Sequence, residues 1–240
     1  MWLLVALPGL GHAAQYAVYN SLNGFVLDGA TSVSASASAD GGTTVEAVDL
    51  GQGSLKLRAA QVTVGASTEG DVRFGDTITV IGLTAPATVT MQLHVEGMLS
   101  GRAVAVSSLF IGGPGLDLVG APAPTVDFAS KAYGGVLESP LLVDDLLQVS
   151  MLLSPGAPTF SFAAGLAVIA HGPVTAGGAG SSADFSNTAT ISLVLPTGTT
   201  FSAASGVLLQ AVPLPASAWL LAPALGVLVR RGRRAATGRA

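Results

Sequence analysis

The chain contains no cysteine. That excludes disulfide staples, thiolate nucleophiles and cysteine-based metal centres, so any core must hold by packing alone. Charge is scarce as well, at 10% of 240 residues. Of the ten basic side chains, Arg230, Arg231, Arg233, Arg234 and Arg239 lie in the last eleven positions. The remainder sets five basic groups against fourteen acidic ones, a balance that argues against a nucleic-acid partner. Histidine occurs three times, as His12, His94 and His171, with no His-x-x-x-His pair or Glu-rich segment, so neither a metal site nor a cofactor is expected. Ser107-Ser108 and Ser181-Ser182 lack a Gly-x-Ser-x-Gly context, and no Gly-rich phosphate loop follows a strand. No catalytic residue is assigned.

What is present is Gly, Ala, Ser and Thr in quantity, and alternation. Residues 32–39 alternate with small side chains, which specify register weakly. In residues 54–64, Leu55, Leu57 and Ala59 share one parity while Ala60, Val62 and Val64 take the other, which predicts a β-bulge near Ala59-Ala60. Val72, Phe74, Ile78 and Val80 line one face of the next strand, with an irregularity expected at Gly75-Asp76. Val89, Met91, Leu93 and Val95 point inward; Thr88, Thr90, Gln92 and His94 point outward. Leu147, Val149, Met151 and Leu153 share a side, and Phe160, Phe162, Leu166 and Val168 continue the pattern. Ala189, Ile191, Leu193 and Leu195 form the last inward set. Gly112–Gly115, Ala121–Pro124 and Gly172–Ser182 read as loops.

Many alternating segments divided by Gly/Pro turns predict an all-β, antiparallel β-sandwich over residues 14–210, for which a jelly-roll-like path is one solution. About 190 residues can bury a sizeable core without disulfides. The acidic doublet Asp144-Asp145 offers oxygen ligands for Ca²⁺, or simply a solvated strand start. Glu138 with Asp144 or Asp145 could form a glycosidase carboxylate pair. Tyr16, Tyr19 and Tyr133 could stack on sugar rings, although three tyrosines need no such explanation.

The two ends differ from the middle. Residues 2–10 are apolar and run into Gly11-His12-Ala13, the pattern of a secretion signal over 1–13 with cleavage after Ala13 or Ala14, without the usual basic start. A first buried strand is the alternative. Residues 212–229 carry no charge and, as helix, would span about 27 Å, close to the bilayer hydrocarbon. Arg230, Arg231, Arg233 and Arg234 follow at once and would act as the membrane stop. A transmembrane helix over 214–230 is therefore expected, with a buried helix of a globular domain as the alternative. Pro213 and Pro215 delay helix entry, since each lacks an N–H.

The order Val212, Pro213, Leu214, Pro215, Ala216, then an apolar run from Trp219 to Val229, then arginines, resembles the PEP-CTERM sorting signal of Gram-negative bacteria in its Val-Pro-Leu-Pro-Ala variant. Gly232 interrupts the basic cluster and Ala235–Ala240 prolong the end. The resemblance covers about thirty residues, 211–240. It implies export, an inner-membrane intermediate, recognition by an exosortase-like transpeptidase, and delivery to the cell surface or extracellular matrix. Asp184–Gly206 also looks like the last hairpin that precedes such signals. The expected protein is a non-enzymatic surface or matrix protein associated with exopolysaccharide. The alternatives are a secreted carbohydrate-active enzyme on a β-sandwich and a plain C-terminally anchored membrane protein.

N-terminal sequencing of exported protein should find Ala14 or Gln15 first, and Met1 there would exclude the secretion signal.

Overall fold

In the computed structural model, residues 15–116, 118 and 125–209 are described. The expected signal segment with Ala13 and Ala14, the Ala121–Pro124 loop, the Val212–Ala216 block, the 214–230 helix and the four arginines lie outside the described residues. The compact unit that holds every strand ends at Leu209.

Among the described residues thirteen strands are formed, and none of these residues is helical. They are β1 (Tyr16–Asn20), β2 (Phe25–Asp28), β3 (Ser32–Ala39), β4 (Gly42–Asp49), β5 (Ser54–Gln61), β6 (Ser67–Ile81), β7 (Ala87–Ser100), β8 (Arg102–Gly112), β9 (Thr125–Val136), β10 (Leu141–Leu153), β11 (Thr159–His171), β12 (Ser181–Val194) and β13 (Thr200–Ala203). Among the described residues, no helix is long and apolar enough to cross a membrane.

Two antiparallel sheets result. One runs β2-β1-β6-β11-β8-β9, with β13 also on β6; the other runs β10-β7-β12-β5-β4-β3. The eight strands β5 to β12 pair as nested hairpins: β8 with β9, β7 with β10, β6 with β11 and β5 with β12. Folding that ribbon over itself adds the pairings β7–β12 and β8–β11. This is the strand order of a jelly roll, so the sandwich expectation holds and its path is defined. β3 and β4 widen one sheet, and β1, β2 and β13 widen the other.

The inward residues are those that alternation picks out. Val89, Met91, Leu93 and Val95 of β7 are fully buried, as are Phe160, Phe162 and Leu166 of β11. Phe74 and Phe162 meet edge to face at 5.9 Å, a geometry aromatic quadrupoles favour. The β3–β4 hairpin turns on Asp40-Gly41, both at positive φ, as a two-residue primed turn requires. That turn sets the register the small side chains of β3 leave undetermined.

Three sequence expectations are corrected. Ala59-Ala60 is not a bulge: β5 pairs with β4 and with β12 there without a register shift. Gln61 takes the next inward position instead, holding the amides of Val62 and Thr63, while Val62 and Val64 lie exposed beyond the strand. Gly75-Asp76 is not an irregularity: β6 and β11 stay in register from Thr79 to Ser67. Asp76 simply occupies an inward position between Phe74 and Ile78 and is wholly buried. Its carboxylate accepts from the Thr77 amide, the Ser205 amide and the Ser205 hydroxyl. The last correction is that β12 and β13 form no hairpin, because they belong to opposite sheets.

Burial pushes the Asp76 carboxyl above its ordinary range, and the Ser205 and Thr77 hydrogen bonds offset this only in part. A raised folded value means that the native state holds its proton over a pH range where the unfolded chain has lost it. Stability from this group therefore falls as pH rises from the unfolded value of about 3.9 to the folded one, then levels. Asn at this position keeps the acceptor for Thr77 and cannot ionise. The stability of wild type relative to Asp76→Asn, measured by urea unfolding at each pH, should fall across that window and be flat above it. A flat difference throughout would show that Asp76 does not titrate this way.

Candidate functional site

The outer face of the second sheet carries a polar array on β7, β10 and β12. Alternation sends Thr90, Gln92, His94 and Glu96 of β7 to that face, with Asp144, Gln148 and Ser150 of β10 on one side and Thr190 and Ser192 of β12 on the other. Cross-strand hydrogen bonds tie them: Thr90 to Ser150 at 2.8 Å, and Ser192 to Gln92 at 3.1 Å. The result is a cross-strand array of hydroxyl and carboxamide groups in which the Gln148–Gln92–Ser192 row runs across all three strands, with exposed Leu146 beside His94 and Val194 beside Thr90 on the same face.

The ladder ends in an acidic corner. Glu96 stands directly opposite Asp144, and His94 is one outward position away on β7. His94 Nε2 lies 2.7 Å from Asp144 Oδ1 and 3.7 Å from Glu96 Oε1. The three side chains are 42%, 80% and 50% exposed for His94, Asp144 and Glu96, so all can be reached from solvent. Beside them, Glu96, Gly97, Met98, Leu142, Val143, Asp144 and Asp184 line an open groove of about 460 Å³.

A bulge in β12 builds the far wall of this groove. From Asp184 to Thr188 the strand takes four residue steps where β7 takes two from Met98 to Glu96. Asp184 Oδ1 accepts from the Ser186 amide at 3.0 Å and the Ser186 hydroxyl at 2.6 Å, pinning the extra residues. Arg58 adds an ion pair at 3.6 Å. Burial pushes the Asp184 carboxyl up, but the Ser186 hydrogen bonds and Arg58 outweigh it and hold the group below its ordinary range. On the inner side the bulge drops Phe185 into the core above Gly97, where a Cβ would lie 2.2 Å from the ring.

The sequence-based candidates are dispersed. The doublet Asp144-Asp145 is split by the strand's own period: Asp144 joins His94 outside, whereas Asp145 faces β9 and pairs with Lys131, which holds its carboxyl below the usual range. Glu138 sits in the β9–β10 connection. Tyr16 and Tyr19 on β1 are separated from Tyr133 on β9 by β6, β11 and β8, so the tyrosines form no common platform. Tyr19 lies under Arg73, and Tyr133 hydrogen-bonds Ser107 at 3.0 Å. Ser181 accepts from the Arg102 amide and Ser182 bonds Ser100. His171 pairs in register with Arg102 at a strand end. Sequence reasoning missed Glu96, although its shared parity with His94 was there to be read. Asp144 could not be joined to them without the β7–β10 register.

No protein-family model and no curated protein matches the chain. Among solved structures, the enzymatically active domain of tailspike protein 4 of bacteriophage CBA120 is 14% identical over 69% of this chain and 20% of its own, with a TM-score of 0.25. A carbohydrate-binding module of the β-sandwich superfamily is 14% identical over 76% of this chain and 58% of its own, at 0.23. Another carbohydrate-binding module, in complex with β-1,4-galactotriose, is 8% identical over 78% and 92%, at 0.25. The chain thus spans a fifth to about three fifths of the first two. At such scores these similarities carry no argument about what the chain binds or does.

Gly97→Ala should cost about 1–3 kcal/mol in urea unfolding, since the new methyl overpacks against Phe185. An unchanged midpoint would mean that the bulge relaxes freely.

Proposed function

We propose that the chain is an exported, non-enzymatic surface or matrix protein that associates with a neutral exopolysaccharide through the β10-β7-β12 face and is sorted through its C-terminal tail. One observation carries the binding half: the cross-strand ladder of Thr90, Ser150, Gln92, Gln148 and Ser192, whose hydroxyls and carboxamides both donate and accept hydrogen bonds. Such groups match sugar hydroxyls along a chain, and the exposed Leu142 and Met98 offer apolar surface for sugar C–H faces. Glu96, Asp144 and Asp184 disfavour an acidic polymer, because like charges repel at this distance.

The sorting half rests on the three-part order of the tail. Its leucines and valines each favour the bilayer centre by a few tenths of a kcal/mol, the arginines orient it, and Pro213 and Pro215 keep the approach extended for a membrane transpeptidase.

The binding half is tested by sedimenting the protein with exopolysaccharide from producing cells. Wild type should co-sediment without generating reducing ends, and Gln92→Leu with Gln148→Leu should lower the bound fraction about tenfold, by removing paired hydrogen-bond groups. New reducing ends would favour the carbohydrate-active enzyme, and undiminished binding would move the contact off this face. For the tail, Pro213→Ala with Pro215→Ala should preserve insertion and leave the segment uncut. Intact-mass measurement that finds Arg239 and Ala240 on wild-type protein from the cell surface would establish simple anchoring instead.

A further inference from the structure

We propose that His94, Glu96 and Asp144 form a site for one divalent first-row transition cation of the Zn²⁺ class. One imidazole nitrogen and two carboxylate oxygens, from adjacent strands, lie within 4.8 Å of one another. All three side chains are solvent-accessible, so small rotations can bring each donor to about 2.0–2.2 Å from a single ion. A neutral imidazole with two carboxylates supplies the charge that balances a dication. The nitrogen donor selects against Ca²⁺ and Mg²⁺, which prefer all-oxygen shells.

Two features of the fold point the same way. Glu96 and Asp144 face each other directly across the β7–β10 ladder, an arrangement that destabilises a sheet while both are charged. Their ion-pair contacts both go to His94. A cation between them converts the opposition into attraction. The groove beside the cluster leaves room for the ion's remaining ligands, water or a hydroxyl. Asp184 lines the same groove but is engaged by Ser186 and Arg58, which leaves a three-residue ligand set. The site does not depend on polysaccharide binding.

The test uses the untagged full chain stripped with EDTA, titrated with ZnCl₂ by calorimetry and followed by thermal unfolding. One ion should bind per chain, and Tm should rise by roughly 5–10 °C at a hundredfold excess over Kd. CaCl₂ at the same concentration should produce no comparable shift. His94→Gln should weaken Zn²⁺ binding on the order of tenfold or more, whereas His171→Gln should not change it. Metal-free Glu96→Gln and Asp144→Asn should unfold above metal-free wild type and lose the Zn²⁺ shift, a pair of results that misfolding cannot produce. Absence of Zn²⁺ binding, binding that survives His94→Gln, or Ca²⁺ binding as tight as Zn²⁺ would each overturn the proposal.

Discussion

The pairing of β6 with β11 is the constraint on which the rest of the domain depends. Thirteen consecutive residue pairs, from Thr159 with Thr79 to His171 with Ser67, join segments about ninety positions apart. The ladder sets Phe74 against Phe162 and aligns Val72, Ile78, Leu166 and Val168 on the inner face. β1 and β13 then add along the free side of β6, and β8 along the free side of β11. With no cysteine in the chain, nothing covalent holds these remote partners, so cooperative burial of the two inner faces must do so. Nested pairing over such distances also implies slow folding, because loop closure precedes most of the contacts that reward it.

Polar groups inside the sandwich are tied down from the loops. Asp76 is held by Ser205 from the turn that follows β13, and buried Glu46 accepts from the Ser21 hydroxyl and the Leu22 and Asp71 amides. Each carboxylate therefore joins a sheet to a connection that alternation alone would leave loose. The outer face obeys a different rule. There the alternating positions need not be apolar, and β7, β10 and β12 use them for hydroxyl, carboxamide, imidazole and carboxylate groups. The bulge in β12 serves both faces at once, filling the space above Gly97 with Phe185 and turning Asp184 toward the groove.

The sequence by itself determined that the described residues are all-β and which residues of most strands face inward, because side-chain direction in a strand follows from period two and needs no partner. Leu147, Val149, Phe160, Phe162 and Ile191 are inward for that reason. It misread positions where a polar residue occupies an inward place. The breaks expected at Ala59-Ala60 and Gly75-Asp76 stand where Gln61 and Asp76 turn inward, because a buried amide or carboxylate is costly until its partners are known. Those partners, Thr68 for Gln61 and Ser205 for Asp76, were visible only once the strands were placed. Tertiary structure alone decided that β12 and β13 part to opposite sheets, that the bulge lies at 185–188 and not at 59–60, and that His94 meets Asp144 across fifty residues. The physical reason is that parity is a local property of the backbone, whereas register between remote strands is set by the packing of the whole core at once.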